Sequence, residues 1–136
     1  MVFSVARKSP SDYISNHVQP REVITFTDTV ANIGNAMNPD DGIFTIPISG
    51  LYSFSFSAMS TGNDTSTYIE VHKNDEKQFI ISDHNNYGHT NYVNIGYSWT
   101  MHLVQNDKIH LYMFSNGLYV TLGVNVWCNA QYIMVQ

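Results

Sequence analysis

The chain is short of charge, of cysteine and of long apolar runs, and each shortage removes a class of protein. Charged residues make up 12% of its 136 positions, with a formal net charge of −5. The six basic residues, Arg7, Lys8, Arg21, Lys73, Lys77 and Lys108, are scattered. No basic run exists to neutralise phosphates, so nucleic acid is not an expected partner. Cys128 is the only cysteine, which excludes an internal disulfide. It sits in the apolar run Val124-Asn125-Val126-Trp127-Cys128 and reads first as a small buried hydrophobe. A thiol nucleophile would need a histidine partner, and an intermolecular disulfide is the third option. No stretch approaches the roughly 20 apolar residues that span a bilayer, so membrane insertion is not expected. The start, Met1 to Arg7, lacks the long apolar core of a signal peptide. The chain is then either cytosolic or a mature domain carrying a start methionine. Enzyme signatures are also missing: there is no Gly-x-Ser-x-Gly elbow, no phosphate-cradling glycine loop and no His-Glu-x-x-His.

What is present is β-forming sequence. Aromatics reach 13%, nine of them Tyr, among many Ser, Thr and Asn. No long window repeats apolar residues at helical spacing, whereas period-two alternation recurs along the chain. Val2 to Arg7 reads as a first strand, followed by a polar loop from Ser9 to Pro20. Glu22 to Thr29 alternates Val23, Thr25 and Thr27 against Ile24, Phe26 and Asp28. Ile33 to Gly42 is turn-rich, with Asp41-Gly42 as a turn pair. Ile43 to Ile46, Gly50 to Met59, Thr67 to Lys73 and Gln78 to Ile81 follow as strands. Tyr92 to Val104 then alternates cleanly, with Val93, Ile95, Tyr97, Trp99, Met101 and Leu103 on one face. A strand around Ile109, Leu111 and Met113 leads into the Asn116-Gly117 turn. Leu118 to Val126 is read as one strand, and Tyr132 to Val135 closes the chain. About ten short strands with turns every 8 to 12 residues predict an all-β sandwich or jelly roll. With no internal repeat and no linker, residues 1–136 form one domain. Tyr112, Phe114, Tyr119 and Trp127 oppose the inward-facing residues of their strands, which points to an oligomer.

One arrangement is more specific. Phe26, Asn32, Phe44 and Gly50-Leu51-Tyr52-Ser53-Phe54-Ser55-Phe56 fall at the spacings of a known signature, with Met37 in its aromatic-or-Leu position. Pro47 precedes the glycine by three, Lys73-Asn74-Asp75 matches a Lys-Asn-Gly turn, and Leu103, Asn106, Asp107 and Ile109 match Leu-x-x-Gly-Asp-x-Val. The family's C-terminal Phe-x-Gly-x-Leu is not present as such, and Cys128 to Tyr132 occupies the corresponding stretch. In these residues the chain resembles the globular head of complement C1q over roughly residues 3 to 135. The resemblance implies a ten-stranded jelly roll like tumour necrosis factor, packed as a homotrimer around one sheet. Without a Gly-x-y repeat it is similar to the stalkless heads of invertebrates, particularly molluscs. Many of those are secreted lectins of innate immunity, and some bind sialic acid.

The sugar reading needs polar groups for hydroxyls and an aromatic face for C–H groups. The segment Asp83-His84-Asn85-Asn86-Tyr87-Gly88-His89-Thr90-Asn91-Tyr92 offers both, so Asp83, His84, Asn85, Asn86, Tyr87, His89, Asn91 and Tyr92 are the expected ligand-binding residues. A solvated loop would have the same composition. A sialic acid carboxylate would have to be met by His84, His89, backbone N–H groups or Lys77. No cofactor is required. Zinc would need three or four converging ligands, for which His84 with His89 and His102 with His110 are the available pairs. Calcium, implied near the trimer axis by the resemblance, would draw on Asp40-Asp41, Asp64 and Asp107. Asn63-Asp64-Thr65 is an N-glycosylation triplet. The expected function is a secreted glycan-binding lectin. The alternatives are a trimeric ligand for a protein receptor and a structural trimerisation module.

Overall fold

The computed structural model describes residues 2–11, 15–60, 66–83, 93–121 and 124–134. They hold eleven strands and no helix: β1 Val2–Arg7, β2 Glu22–Val23, β3 Asp28–Ile33, β4 Met37–Asn38, β5 Ile43–Thr45, β6 Gly50–Met59, β7 Thr67–Lys73, β8 Glu76–Asp83, β9 Asn94–Leu103, β10 Lys108–Ser115 and β11 Val126–Met134. One sheet has the order β3-β1-β11-β6-β9. The other runs β4-β5-β10-β7-β8, with β2 added beside β10. Neighbours within each sheet are antiparallel, and sequence-adjacent strands repeatedly jump between sheets, giving a jelly-roll-like sandwich.

The core lies between the sheets and follows the alternation. Tyr52, Phe54 and Phe56 of β6 are buried against Ile69 and Val71 of β7 and Ile109, Leu111 and Met113 of β10. Met37 is buried in the same cluster, so a thioether fills the place of the signature's aromatic or Leu. Cys128 and Ala130 of β11 also face inward. Desolvation pushes the Cys128 thiol up to about 12, leaving it without thiolate character. The buried-hydrophobe reading is therefore the one that fits.

Two glycine positions of the signature are filled by other residues, and the backbone explains why this works. Asp75 (φ 65°) and Asn106 (φ 75°) both adopt the left-handed conformation. Asn and Asp tolerate it best after glycine. Both turns are reinforced from the side. Asn74 donates to Asp107 Oδ1 at 2.9 Å, and Val104 N–H donates to Asp107 Oδ2 at 2.9 Å. Partial burial pushes the Asp107 carboxyl up. Those two hydrogen bonds and the charges of Lys73 and His102 outweigh it and hold the group below its ordinary value.

Three strand readings differ from the structure. Glu22 to Thr29 is not continuous: β2 joins one sheet and β3 the other, and residues 24–27 cross between them. Ile24 and Phe26 keep their inward direction during the crossing. Leu118 to Val126 is not one strand either. Leu118 bridges both Val18 and Ser60, Thr121 and Val124 pair with each other, and the regular strand resumes at Val126. The last strand therefore starts at Val126 rather than Tyr132. The aromatics opposite the core are largely satisfied within the chain. Tyr119 stacks on His17 at 4.7 Å, Arg21 covers Phe114 at 4.6 Å, Tyr112 lies 5.6 Å from His72, and Lys8 sits 5.4 Å over Trp127.

Candidate functional site

Of the expected ligand residues, only Asp83 falls within the described part of the chain, as the last residue of β8 paired with Thr67. His84, Asn85, Asn86, Tyr87, His89, Asn91 and Tyr92 lie outside the described residues, as does the Asn63-Asp64-Thr65 triplet. The segment's far end is anchored. Ser60 N–H donates to the Val93 carbonyl at 2.8 Å, and Val93 N–H donates to Ser60 Oγ at 3.3 Å. β9 begins at the next residue.

A groove of about 440 Å³ opens beside that anchor, between the end of β6, the start of β9 and the Val124–Trp127 stretch. Register assembles it. Ser57 stands opposite Gly96 on one side and opposite Trp127 on the other. All three therefore share the outward face of the sheet. A Cβ on Gly96 would meet nothing within 4 Å, so this glycine leaves open space beside the ring. Asn94 and Asn125 contribute carboxamides and Ser57 a hydroxyl. The Lys8 ammonium, 5.4 Å from the Trp127 centroid and 3.8 Å from Asp28, fixes the ring from beyond the groove. An indole with amide and hydroxyl groups around it has the chemistry that holds a sugar ring. Ser57, Asn94, Asn125 and Trp127 were not among the residues expected from sequence. They come from three distant segments, and only the β6–β11 and β6–β9 pairings bring them together.

The rest of that sheet face carries no Asp, Glu, Lys or Arg along β6, β9 and β11. Ser4 donates to Asn129 Oδ1 at 2.5 Å, and Asn129 donates to Ser55 Oγ at 3.3 Å. Ser53 lies between Gln131 and Thr100. Toward one end the face becomes apolar, with Val2 (40% exposed), Ile33 (66%) and Met134 (50%).

Of the two expected histidine pairs, His84 and His89 lie outside the described residues, and His102 and His110 do not come together. His102 is on β9 and His110 on β10, strands that belong to different sheets. They are consecutive in sequence but not neighbours in space. Among the described residues no three His, Cys, Asp or Glu side chains could hold a metal ion. His110 instead faces His72 across β7 and β10, with ring centroids 4.7 Å apart, and His72 Nε2 lies 2.9 Å from Glu70 Oε1. Burial and the neighbouring His72 push the His110 imidazole below its ordinary value, and Asp75 opposes this weakly. The unfolded chain then binds more protons than the folded one just below that value. Stability should accordingly fall as pH drops from 7 through about 6.5 and below. Urea denaturation across this range measures it, and His110→Asn should flatten that part of the profile.

With the geometry in place, comparison with known proteins is informative. The C1q domain family model matches residues 2–127. A complement C1q subcomponent of Mus musculus is 28% identical over 98 residues, 72% of this chain and 38% of the relative. The chain thus spans about two-fifths of that protein's length. The globular domain of zebrafish complement 1qA superposes with a TM-score of 0.78 at 20% identity, covering 99% of this chain and 98% of that one. Eiger TNF from S. frugiperda follows at 0.70 and 7% identity, covering 100% and 96%. Murine APRIL follows at 0.61 and 12%, covering 96% and 99%. At these identities the structures speak for the fold alone, while the family model covers nearly the whole chain: the protein belongs to the C1q domain family.

Proposed function

We propose that this chain is a secreted lectin of pattern recognition that binds glycans as a homotrimer. The observation that carries the reading is the Trp127 groove, with Asn94, Asn125 and Ser57 around it, at the root of the Asp83 to Tyr92 segment. An aromatic ring beside fixed amides suits the alternating C–H and hydroxyl surfaces of a sugar. Asp83, His84, Asn85, Asn86, Tyr87, His89, Asn91 and Tyr92 are proposed as further ligand-binding residues on their chemistry alone. Sialylated termini are the finer specificity. The trimer packs on the β3-β1-β11-β6-β9 sheet at the end of its outward face away from Trp127, where Val2, Ile33 and Met134 are exposed, leaving the groove open. Three weak sites on one particle gain through avidity. No cofactor is required on this reading, and calcium is a candidate ligand that the EDTA comparison tests.

A glycan array probed with the recombinant trimer, with and without EDTA, tests this. Binding to a coherent set of related sugars is expected, and its loss in EDTA would mark the calcium role. A blank array from a folded trimer would overturn the lectin reading in favour of a ligand for a protein receptor.

A further inference from the structure

We infer that His17 is a proton-operated latch on the wall of the Trp127 groove, closed while its Nδ1 is free of a proton and released by acid. Residues 16–18 and 118–120 run side by side and antiparallel. Val18 and Leu118 exchange both backbone bonds, at 2.9 and 3.1 Å, and Asn16 N–H donates to the Val120 carbonyl at 3.1 Å. A regular antiparallel ladder would return the next rung from Val120 N–H to the Asn16 carbonyl. That carbonyl is taken by Arg7 Nε at 2.9 Å, and the His17 carbonyl by Arg7 Nη2 at 2.9 Å. Val120 N–H donates instead to His17 Nδ1 at 2.8 Å. One rung of the ladder therefore ends on an imidazole. A carbonyl accepts at any pH, whereas Nδ1 accepts only when it carries no proton.

The rung matters because of what it braces. Thr121, next to Val120, exchanges backbone bonds with Val124 at 3.1 and 3.0 Å, and Val124, Asn125 and Trp127 line the groove. Tyr119 N–H donates at 2.7 Å to the carbonyl of Met59, a lining residue at the end of β6. The 118–121 stretch thus ties two sides of the groove together. Val120 is fully buried, so its N–H has no water to turn to when His17 is lost as an acceptor. A protonated imidazole is a donor at both nitrogens, so two N–H groups would confront each other and the ring has to swing away. The charged and titratable groups around the ring, among the described residues, are Arg7, Glu22 and Tyr119. Arg7 holds the His17 carbonyl, Glu22 Oε1 lies 3.7 Å from the Arg7 guanidinium, and the Tyr119 ring stacks on the imidazole at 4.7 Å. Arg7 opposes a proton on the ring, while Glu22 and the Tyr119 face favour it. None of them offers Val120 N–H another acceptor. The closed latch binds fewer protons than the open one, so lowering the pH opens it.

The consequence for a ligand rests on the glycan-binding reading of the groove, whereas the latch itself is tested without one. Ligand-free 15N-labelled protein is titrated from about pH 7.5 to about pH 5.5. His17 should carry its proton on Nε2 at the upper end. The Val120 and Val124 amides and the Trp127 indole N–H should then shift along the same curve as the His17 ring nitrogens. Over the same range the affinity of the trimer for its strongest array glycan should fall about fivefold or more. His17→Asn offers an oxygen to Val120 N–H and does not titrate, so it should remove both changes. His17→Phe keeps a ring without an acceptor, and should bind at the upper pH as weakly as the native chain does at the lower. A proton on Nδ1 at the upper end, or groove resonances that move in His17→Asn as they do in the native chain, would overturn the latch. A fivefold loss of affinity that persists in His17→Asn would assign the effect to other groups, His84 and His89 among them, and overturn the role of His17. A blank array beside the expected ligand-free titration would overturn the glycan reading and leave the latch standing.

Discussion

Phe44→Ala is expected to lower the unfolding free energy by about 3–5 kcal/mol, the largest effect expected of any single substitution in the core. Phe44 lies on β5 and is 3% exposed. Its ring contacts the opposite sheet edge-on at three places: Phe3 at 4.9 Å, Tyr52 at 5.8 Å and Phe54 at 6.1 Å. Truncation would open a void among three rings held on strands β1 and β6, which are themselves paired through β11 and cannot collapse into it. A domain of this size has a total stability of about 5–15 kcal/mol, so the variant would unfold on the order of 10 °C lower. Urea denaturation measures the change. Phe44→Leu, which keeps most of the volume, should cost only about 1 kcal/mol. A loss below that for Phe44→Ala would mean the two sheets are not held together through this ring cluster.

Gly42→Ala comes second, at about 3–4 kcal/mol, by a different route. Gly42 has φ +74°, and its N–H donates to the Asn38 carbonyl at 2.8 Å to close the turn between β4 and β5. A Cβ there would stand 2.1 Å from the Ile24 carbonyl oxygen. That oxygen belongs to a fully buried residue whose N–H is bonded to the Leu111 carbonyl at 2.9 Å. The crossing segment therefore cannot step aside without breaking its link to β10. Left-handed strain and the backbone clash add. A thermal melt reads the result, and Asp41→Ala in the same turn serves as the control for a lost side-chain bond alone. An unchanged melting temperature for Gly42→Ala would contradict the close approach.

Gly42 was legible in the sequence as half of a turn pair, and much of the fold was legible in the same way. The Val2–Arg7, Gly50–Met59 and Thr67–Lys73 strands agree with the reading residue for residue. Period-two alternation of large apolar side chains leaves few alternatives where one face is buried. The same rule misled at Leu118 to Val126. Leu118, Val120 and Val126 are all fully buried, so the alternation is real, yet Thr121 and Val124 bridge each other. Burial fixes which side chains point inward but not whether the backbone runs straight between them. The position of Leu118 depends on Val18 and Ser60, some 100 and 58 residues earlier, which no local pattern reports.

Trp127 illustrates the same limit at the site. Its alternation placed it opposite the core, and the oligomer expectation followed from that. Its neighbours Ser57 and Gly96 are set by the central position of β11 between β1 and β6 and by β6 pairing with β9. Local polarity instead drew attention to the Asp83 to Tyr92 segment, which apart from Asp83 lies outside the described residues. Of the groove's members, Trp127 was legible only as an outward-facing ring, and Ser57, Asn94 and Asn125 were not legible as a site at all.

The most direct measurement of the central claim is the affinity of the trimer for its strongest array glycan, before and after Trp127→Ala, with the oligomeric state followed by light scattering. Removing a stacking indole should weaken binding at least tenfold while the trimer persists. Unchanged affinity in an intact Trp127→Ala trimer would contradict the account and move recognition away from this groove.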